Sequence, residues 1–146
     1  YKVIIQDDTI PEEKYREREK LIYKFISKYL IFAYDDKQKL TLNSANILIP
    51  KIKDYPIKLM LALLNSKLYN FIFQKKFKSI KVLRSHLEQL PLPLWNKQIF
   101  NEIMQLVNKI FISGNITAYK DDIDKKIMQN FSLSPEEITY VIQNMQ

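Results

Sequence analysis

From residue 57 to about residue 77 the chain runs largely apolar, punctuated by Asn65, Lys67 and Asn70, and contains neither proline nor glycine. A run this long exceeds a single strand, so it predicts a buried helix. Leu59, Met60, Leu61, Leu63, Leu64, Leu68, Phe71 and Ile72 would surround most of its circumference, which requires cover on more than one side. Lys75 and Lys76 fall at its C-terminal end, where cations meet the negative pole of the helix dipole.

The segments before this helix have strand character. Leu21-Ile22-Tyr23-Lys24-Phe25-Ile26 is short and rich in β-branched and aromatic residues. Tyr29-Leu30-Ile31-Phe32-Ala33-Tyr34 and Lys39-Leu40-Thr41-Leu42-Asn43 flank the polar run Asp35-Asp36-Lys37-Gln38, which suits a hairpin turn, and Asn46-Ile47-Leu48-Ile49 ahead of Pro50 forms another short strand. After the helix, residues 79–82 read as a strand or extended loop and residues 83–89 as a short helix. Alternating prolines hold Leu90-Pro91-Leu92-Pro93-Leu94-Trp95 extended. Helical spacing then resumes through Ile99, Ile103, Val107 and Ile110 to a stop at Gly114, continues over residues 119–130 with Ile123 and Ile127 inward, and ends in a helix capped by Ser134, Pro135 and Glu137, with Ile138, Val141, Ile142 and Met145 on one face. The fold class is α+β: a small, mostly antiparallel β-sheet packed on a long buried helix, followed by a helical C-terminal extension.

Composition removes much chemistry. The 146 residues are 47% hydrophobic, enough for one substantial core. There is no Cys, so thiolate metal sites and cysteine nucleophiles are excluded, and His86 is the single histidine. Gly114 is the single glycine, which rules out glycine-rich phosphate-cradling loops. No uninterrupted apolar run is long enough to span a bilayer. The chain opens at Tyr1 with no leader of signal-peptide type, so it is expected to be a piece of a longer, soluble, cytoplasmic protein of bacterial kind.

Charge is unevenly placed. Residues 1–50 carry nine basic and eight acidic side chains, residues 51–100 carry ten and two, and residues 101–146 carry four and six. Between Asp54 and Glu88 there is no carboxylate, while Lys58, Lys67, Lys75, Lys76, Lys78, Lys81 and Arg84 fall inside. Such a basic middle is the footprint of a polyanion-binding surface; the alternative is a solvated lysine-rich face.

Catalytic candidates are few. Asp35-Asp36-Lys37 and Glu12-Glu13-Lys14 have the acid-x-Lys spacing of metal-dependent nucleases, but chance supplies such triplets in so charged a chain, and the first looks like a turn. Ser85 and His86 are sequence neighbours and do not face each other on a helix, so they form no nucleophile and base pair. His86 reads as a surface polar residue beside the basic stretch. Tyr23, Phe25, Tyr29, Phe32 and Tyr34 could stack on bases, but aromatics at strand spacing more often belong to a core.

Four motifs in order carry a resemblance. They are Leu21-Ile22-Tyr23-Lys24-Phe25-Ile26 with Leu30-Ile31-Phe32-Ala33-Tyr34-Asp35-Asp36-Lys37; Leu42-Asn43-Ser44-Ala45-Asn46-Ile47-Leu48-Ile49-Pro50; Leu61-Ala62-Leu63-Leu64-Asn65-Ser66-Lys67-Leu68; and Ile80-Lys81-Val82-Leu83-Arg84-Ser85-His86-Leu87-Glu88-Gln89-Leu90-Pro91-Leu92-Pro93. Over residues 21–95 the chain resembles the TaqI-like C-terminal specificity domain of restriction-modification methylases. The resemblance implies a target recognition domain over residues 1–95 and a helical extension over 96–146, reading double-stranded DNA for methyltransferase or nuclease domains upstream in the same chain. S-adenosylmethionine and Mg²⁺ would serve those other domains. The Asn/Asp-Pro-Pro-Tyr/Phe motif of adenine methyltransferases is absent, so this part is expected to bind and not to catalyse.

Lysines that neutralise phosphates give affinity and register, whereas sequence is read by side chains that reach base edges. The candidate DNA-contacting residues are Lys37, Gln38, Lys39, Asn43, Lys75, Lys76, Lys78, Ser79, Lys81, Arg84, Ser85 and His86. Arg84 is the foremost reader, because its planar fork matches guanine O6 and N7. For Asn43 and Asn46 a cap or turn hydrogen bond competes with base contact, and Asn65 and Ser66 are expected to pack or bend the helix. A protein-interaction module with a solvated lysine face, and a single-stranded RNA binder, are the other functions this pattern allows.

Overall fold

The structure, a computed structural model, describes residues 17–38 and 45–145. Three strands form an antiparallel sheet, β1 (Lys20–Lys24), β2 (Phe32–Asp35) and β3 (Ala45–Leu48), in the order β2-β1-β3. The expected strand over residues 39–43 and its hairpin lie outside the described residues. Leu21 pairs with Tyr34 and Leu48, and Tyr23 with Phe32 and Asn46. Cross-strand partners point to the same side of a sheet, so these residues share one face. Leu21, Tyr23 and Phe32 are buried there in the core, and the Tyr23 and Phe32 rings lie 5.0 Å apart. The pair Lys20 and Asp35 is on the opposite face. Its Nζ and Oδ2 are 2.6 Å apart with both side chains buried, which accounts for Asp35 without any metal role.

The apolar run is two helices rather than the one expected. Helix α1 (Ile57–Leu64) ends at Asn65, and α2 (Lys67–Phe77) starts from Ser66. The Ser66 hydroxyl donates to the Leu63 carbonyl at 2.6 Å and accepts from the Tyr69 N–H at 3.2 Å. One side chain thereby satisfies a carbonyl at the end of α1 and an amide at the start of α2, offsetting the backbone groups that a helix break exposes. Helix bending at this point was legible; a full break was not.

Two asparagines then bind the helices to the sheet edge. Asn65 Oδ1 accepts from the Phe32 N–H at 2.8 Å, and its Nδ2 donates to the Phe32 carbonyl at 2.9 Å. Asn70 Oδ1 accepts from the Leu30 N–H at 2.7 Å, and its Nδ2 donates to the carbonyls of Leu30 and Ser66. Residues 30 and 32 expose their amides on the same side of the chain, away from β1. The two side-chain amides therefore do what a fourth strand would do, and they cover an edge that would otherwise invite pairing.

Beyond α2 comes a short helix, α3 (Arg84–Glu88), and then the proline segment. The Tyr69 hydroxyl donates to the Pro91 carbonyl and the Tyr55 hydroxyl to the Pro93 carbonyl. Burial pushes the Tyr69 hydroxyl well above the ordinary tyrosine pKa, so it remains a donor. Helices α4 (Lys97–Ser113) and α5 (Thr117–Asn130) form a hairpin around Gly114, whose φ of 73° is the left-handed cap that glycine adopts without a Cβ penalty. Helix α6 (Pro135–Asn144) opens with the anticipated capping box, Ser134 Oγ to Glu137 N and Glu137 Oε1 to Ser134 N. Helix α4 packs on α1, while α5 and α6 pack on α2. Ile103, Val107, Ile123, Ile127, Met128 and Val141 join the same core as the sheet and α1. Ile142, expected to face inward, is exposed.

Candidate nucleic-acid interface

Two carboxylate-free stretches meet where β1 leaves the sheet. Besides residues 55–87, residues 20–34 contain no Asp or Glu. Residues 25–27 run antiparallel to residues 80–82: Ile26 pairs with Lys81, Val82 N donates to Phe25 O, and Ser27 N donates to Ile80 O, both at 2.8 Å. The Ser79 hydroxyl fixes the approach by accepting from Lys81 N and donating to Lys81 O. Lys78 closes α2 in the left-handed region at φ 46°.

This arrangement gathers eight of the twelve sequence candidates: Lys75, Lys76, Lys78, Ser79, Lys81, Arg84, Ser85 and His86. Lys75 and Lys76 are exposed on the last turn of α2, with their ammonium groups 5.7 and 5.6 Å from the Phe71 and Phe77 ring centres. Lys76 Nζ also reaches the Gln89 carbonyl at 3.5 Å, linking α2 to the end of α3. Lys81 Nζ lies 6.0 Å from the Phe25 ring centre. Arg84 and Ser85 are exposed on α3, where Arg84 Nε donates to Glu88 Oε1 at 2.7 Å. An exposed i,i+4 pair of this kind contributes about 0.3–0.5 kcal/mol, which a phosphate or a guanine could outbid.

His86 has a structural task. Its ring stacks on Phe77 at 4.3 Å between centroids, and its Nδ1 accepts from the Leu83 N–H at the start of α3. The half-buried imidazole thus ties the short helix to the end of α2.

The remaining candidates are not in this cluster. Lys37 and Gln38 follow Asp35, which pairs with Lys20 at the other end of β1, so the length of the strand separates them from Lys81. Lys39 and Asn43 lie outside the described residues. Of the other cations in the acid-free stretch, Lys58 sits over the Phe111 and Tyr34 rings, and Lys67 pairs with Asp121 at 3.4 Å. Asn46 is buried in β3, and its Oδ1 has no hydrogen-bond partner among the described residues.

Lys24 and Lys28, both exposed and flanking the paired residues 25–27, were missed from sequence. The signal was present in the absence of acids from residues 20–34, but the pairing with residues 80–82 gives it meaning. Among the described residues no group of three or more acidic or histidine side chains could hold a metal ion, and no helix is long and apolar enough to cross a membrane.

A family model, the TaqI-like C-terminal specificity domain, matches residues 2–92, ending within the proline segment that Tyr69 and Tyr55 hold. No curated protein matches the chain. The family supplies DNA sequence specificity to restriction-modification enzymes, and the clustered lysines suit that task. By a match over more than half of its length, the chain belongs to the TaqI-like C-terminal specificity domain family.

Proposed function

We propose that this chain grips a short duplex DNA sequence and presents it to another domain of the same protein for N6-adenine methylation or cleavage. Residues 1–95 do the recognising, and residues 96–146 buttress them from behind α1 and α2. S-adenosylmethionine and Mg²⁺ act in the partner domains. The observation that carries the reading is the meeting of two acid-free segments, which places Lys24, Lys28, Lys75, Lys76, Lys78 and Lys81 around one end of the sheet with Arg84 beside them.

Binding to duplex DNA titrated against salt tests it. With about five phosphates contacted, log affinity falls with log salt at a slope of about −4 to −5. An interaction module with a solvated lysine face binds no DNA even at low salt. A single-stranded RNA binder prefers unpaired RNA to the duplex. Either result overturns the proposal.

A further inference from the structure

The basic end of the sheet is not uniformly polar. Ile26 is 50% exposed and Ile80 61% exposed, and Tyr29 and Leu83 nearby are also open to solvent. Isolated exposed apolar side chains are ordinary. Here, however, both isoleucines belong to the two short segments that pair with each other, and Lys24, Lys28, Lys78 and Lys81 lie within two residues of one or the other in sequence. Ile26 stands opposite Lys81 and therefore shares its face, as do Lys24 and Lys28 at two-residue spacing, whereas Ile80 points to the other face with buried Val82. A partner that fits this surface offers anionic groups at the flanks and apolar contacts between them. Duplex DNA has both in its major groove, which is wide enough for a two-stranded ribbon and carries the thymine 5-methyl group as its apolar marker.

We propose that the outer face of the ribbon of residues 25–27 and 80–82 enters the major groove, where Ile26, flanked by Lys24 and Lys28 and opposite Lys81, contacts a thymine methyl group and so determines part of the sequence that is read. The inference rests on the duplex-reading function proposed above and adds a residue to it. Lysines bind every sequence alike, and Arg84 suits guanine, so neither reports on A·T pairs. Methylation of an adenine requires a thymine opposite it, so the target contains at least one methyl group for such a contact.

The test begins with selection of duplexes from a random-sequence pool. The selected duplex is then remade with deoxyuridine replacing thymidine at one position at a time, which removes only the methyl. For the wild-type chain, affinity should fall about fourfold at each contacted position, the value of one buried methyl-sized group. In Ile26→Ala that loss should vanish while the salt slope stays unchanged, and Ile80→Ala, on the other face, should keep it. Both side chains are exposed, so an unaltered urea midpoint is expected and checks that each variant folds. If no uracil position weakens the wild type, or if Ile26→Ala keeps its full sensitivity, the inference fails while the duplex-reading function stands. If no duplex binds, the proposed function fails and takes the inference with it. Binding to phosphatidylserine vesicles in place of duplex DNA would have the same effect and would assign the patch to a membrane surface.

Discussion

Arg84 and Lys76 are two cations of the same cluster with different shapes and different expected effects. Arg84 presents a planar fork on exposed α3, whereas Lys76 is a point charge at the end of α2. Arg84→Ala should relax discrimination at one base pair, costing about 1–3 kcal/mol on the preferred sequence and little on others. Lys76→Ala should weaken all duplexes alike and reduce the salt slope by about one. Binding curves on a panel of single-base variants separate the two, and equal loss on every duplex from both variants would refute the division. Lys20 and Asp35 are a different case, because their pair is buried in the sheet and serves stability. Lys20→Met leaves a buried carboxylate facing an apolar side chain and should cost about 3–5 kcal/mol by urea unfolding. The double variant Lys20→Met with Asp35→Leu should recover most of that loss, because an apolar pair has no desolvation penalty. The sequence showed Asp35 only as part of an acid-x-Lys triplet; its true partner is fifteen residues upstream, and strand register alone brings them together.

At the scale of elements, the junction of α1 and α2 organises the domain. Periodicity could not separate two buried helices from one, since apolar residues continue through the break. Asn65, Ser66 and Asn70 mark it: the two asparagines take the backbone groups of Phe32 and Leu30 that face away from β1, and Ser66 bridges the Leu63 carbonyl and the Tyr69 N–H. Asn65→Ala abandons the N–H and carbonyl of Phe32, and Asn70→Ala those of Leu30. Each should cost about 2–6 kcal/mol in urea unfolding, given about 1–3 kcal/mol for each of the two backbone groups left unsatisfied. The expected effect on DNA affinity at a temperature where the variants remain folded is small, since both side chains face the protein. The same argument explains the proline segment. Its extended form follows from Pro91 and Pro93 themselves, but its path is set by the Tyr69 and Tyr55 hydroxyls, which arrive from separate elements.

On the scale of the whole molecule, the C-terminal helices are joined to the recognition half by charge as well as by the shared core. Asp124 of α5 is buried and accepts from the Lys67 N–H at the start of α2 through Oδ1 at 3.2 Å, while Oδ2 meets Lys120 at 3.1 Å. Burial raises its carboxyl above the ordinary aspartate value, against the opposing pull of Lys120 and the Lys67 N–H. The folded chain therefore holds this proton more tightly than the unfolded chain. Its contribution to stability is greatest below the unfolded value of about 3.9 and declines as pH rises through the higher folded value. Asp124→Asn keeps an acceptor for Lys67 and removes that dependence, so its stability relative to wild type should improve from pH 3 to pH 7. Unfolding curves at the two pH values check this, and a constant difference would contradict it. Asp124→Ala, which also removes the acceptor, should cost about 1–3 kcal/mol at either pH.

Local rules in the sequence were sufficient for the class of fold, for β1 and for α4, α5 and α6, although α5 starts at Thr117, two residues before the expected Tyr119. Period, caps and breakers act within a few residues, as with Gly114 or the Ser134 and Glu137 box. Motif order was sufficient for the family, because four short patterns kept their spacing. Tertiary structure alone decided which cations share a surface. Lys58 and Lys67 are drawn to rings and to Asp121 elsewhere, and Lys37 lies at the far end of the strands. Lys24 and Lys28 join the cluster only because residues 25–27 pair with residues 80–82, more than fifty positions away. Long-range pairing is a property of the packed chain, and no local pattern of charge records it.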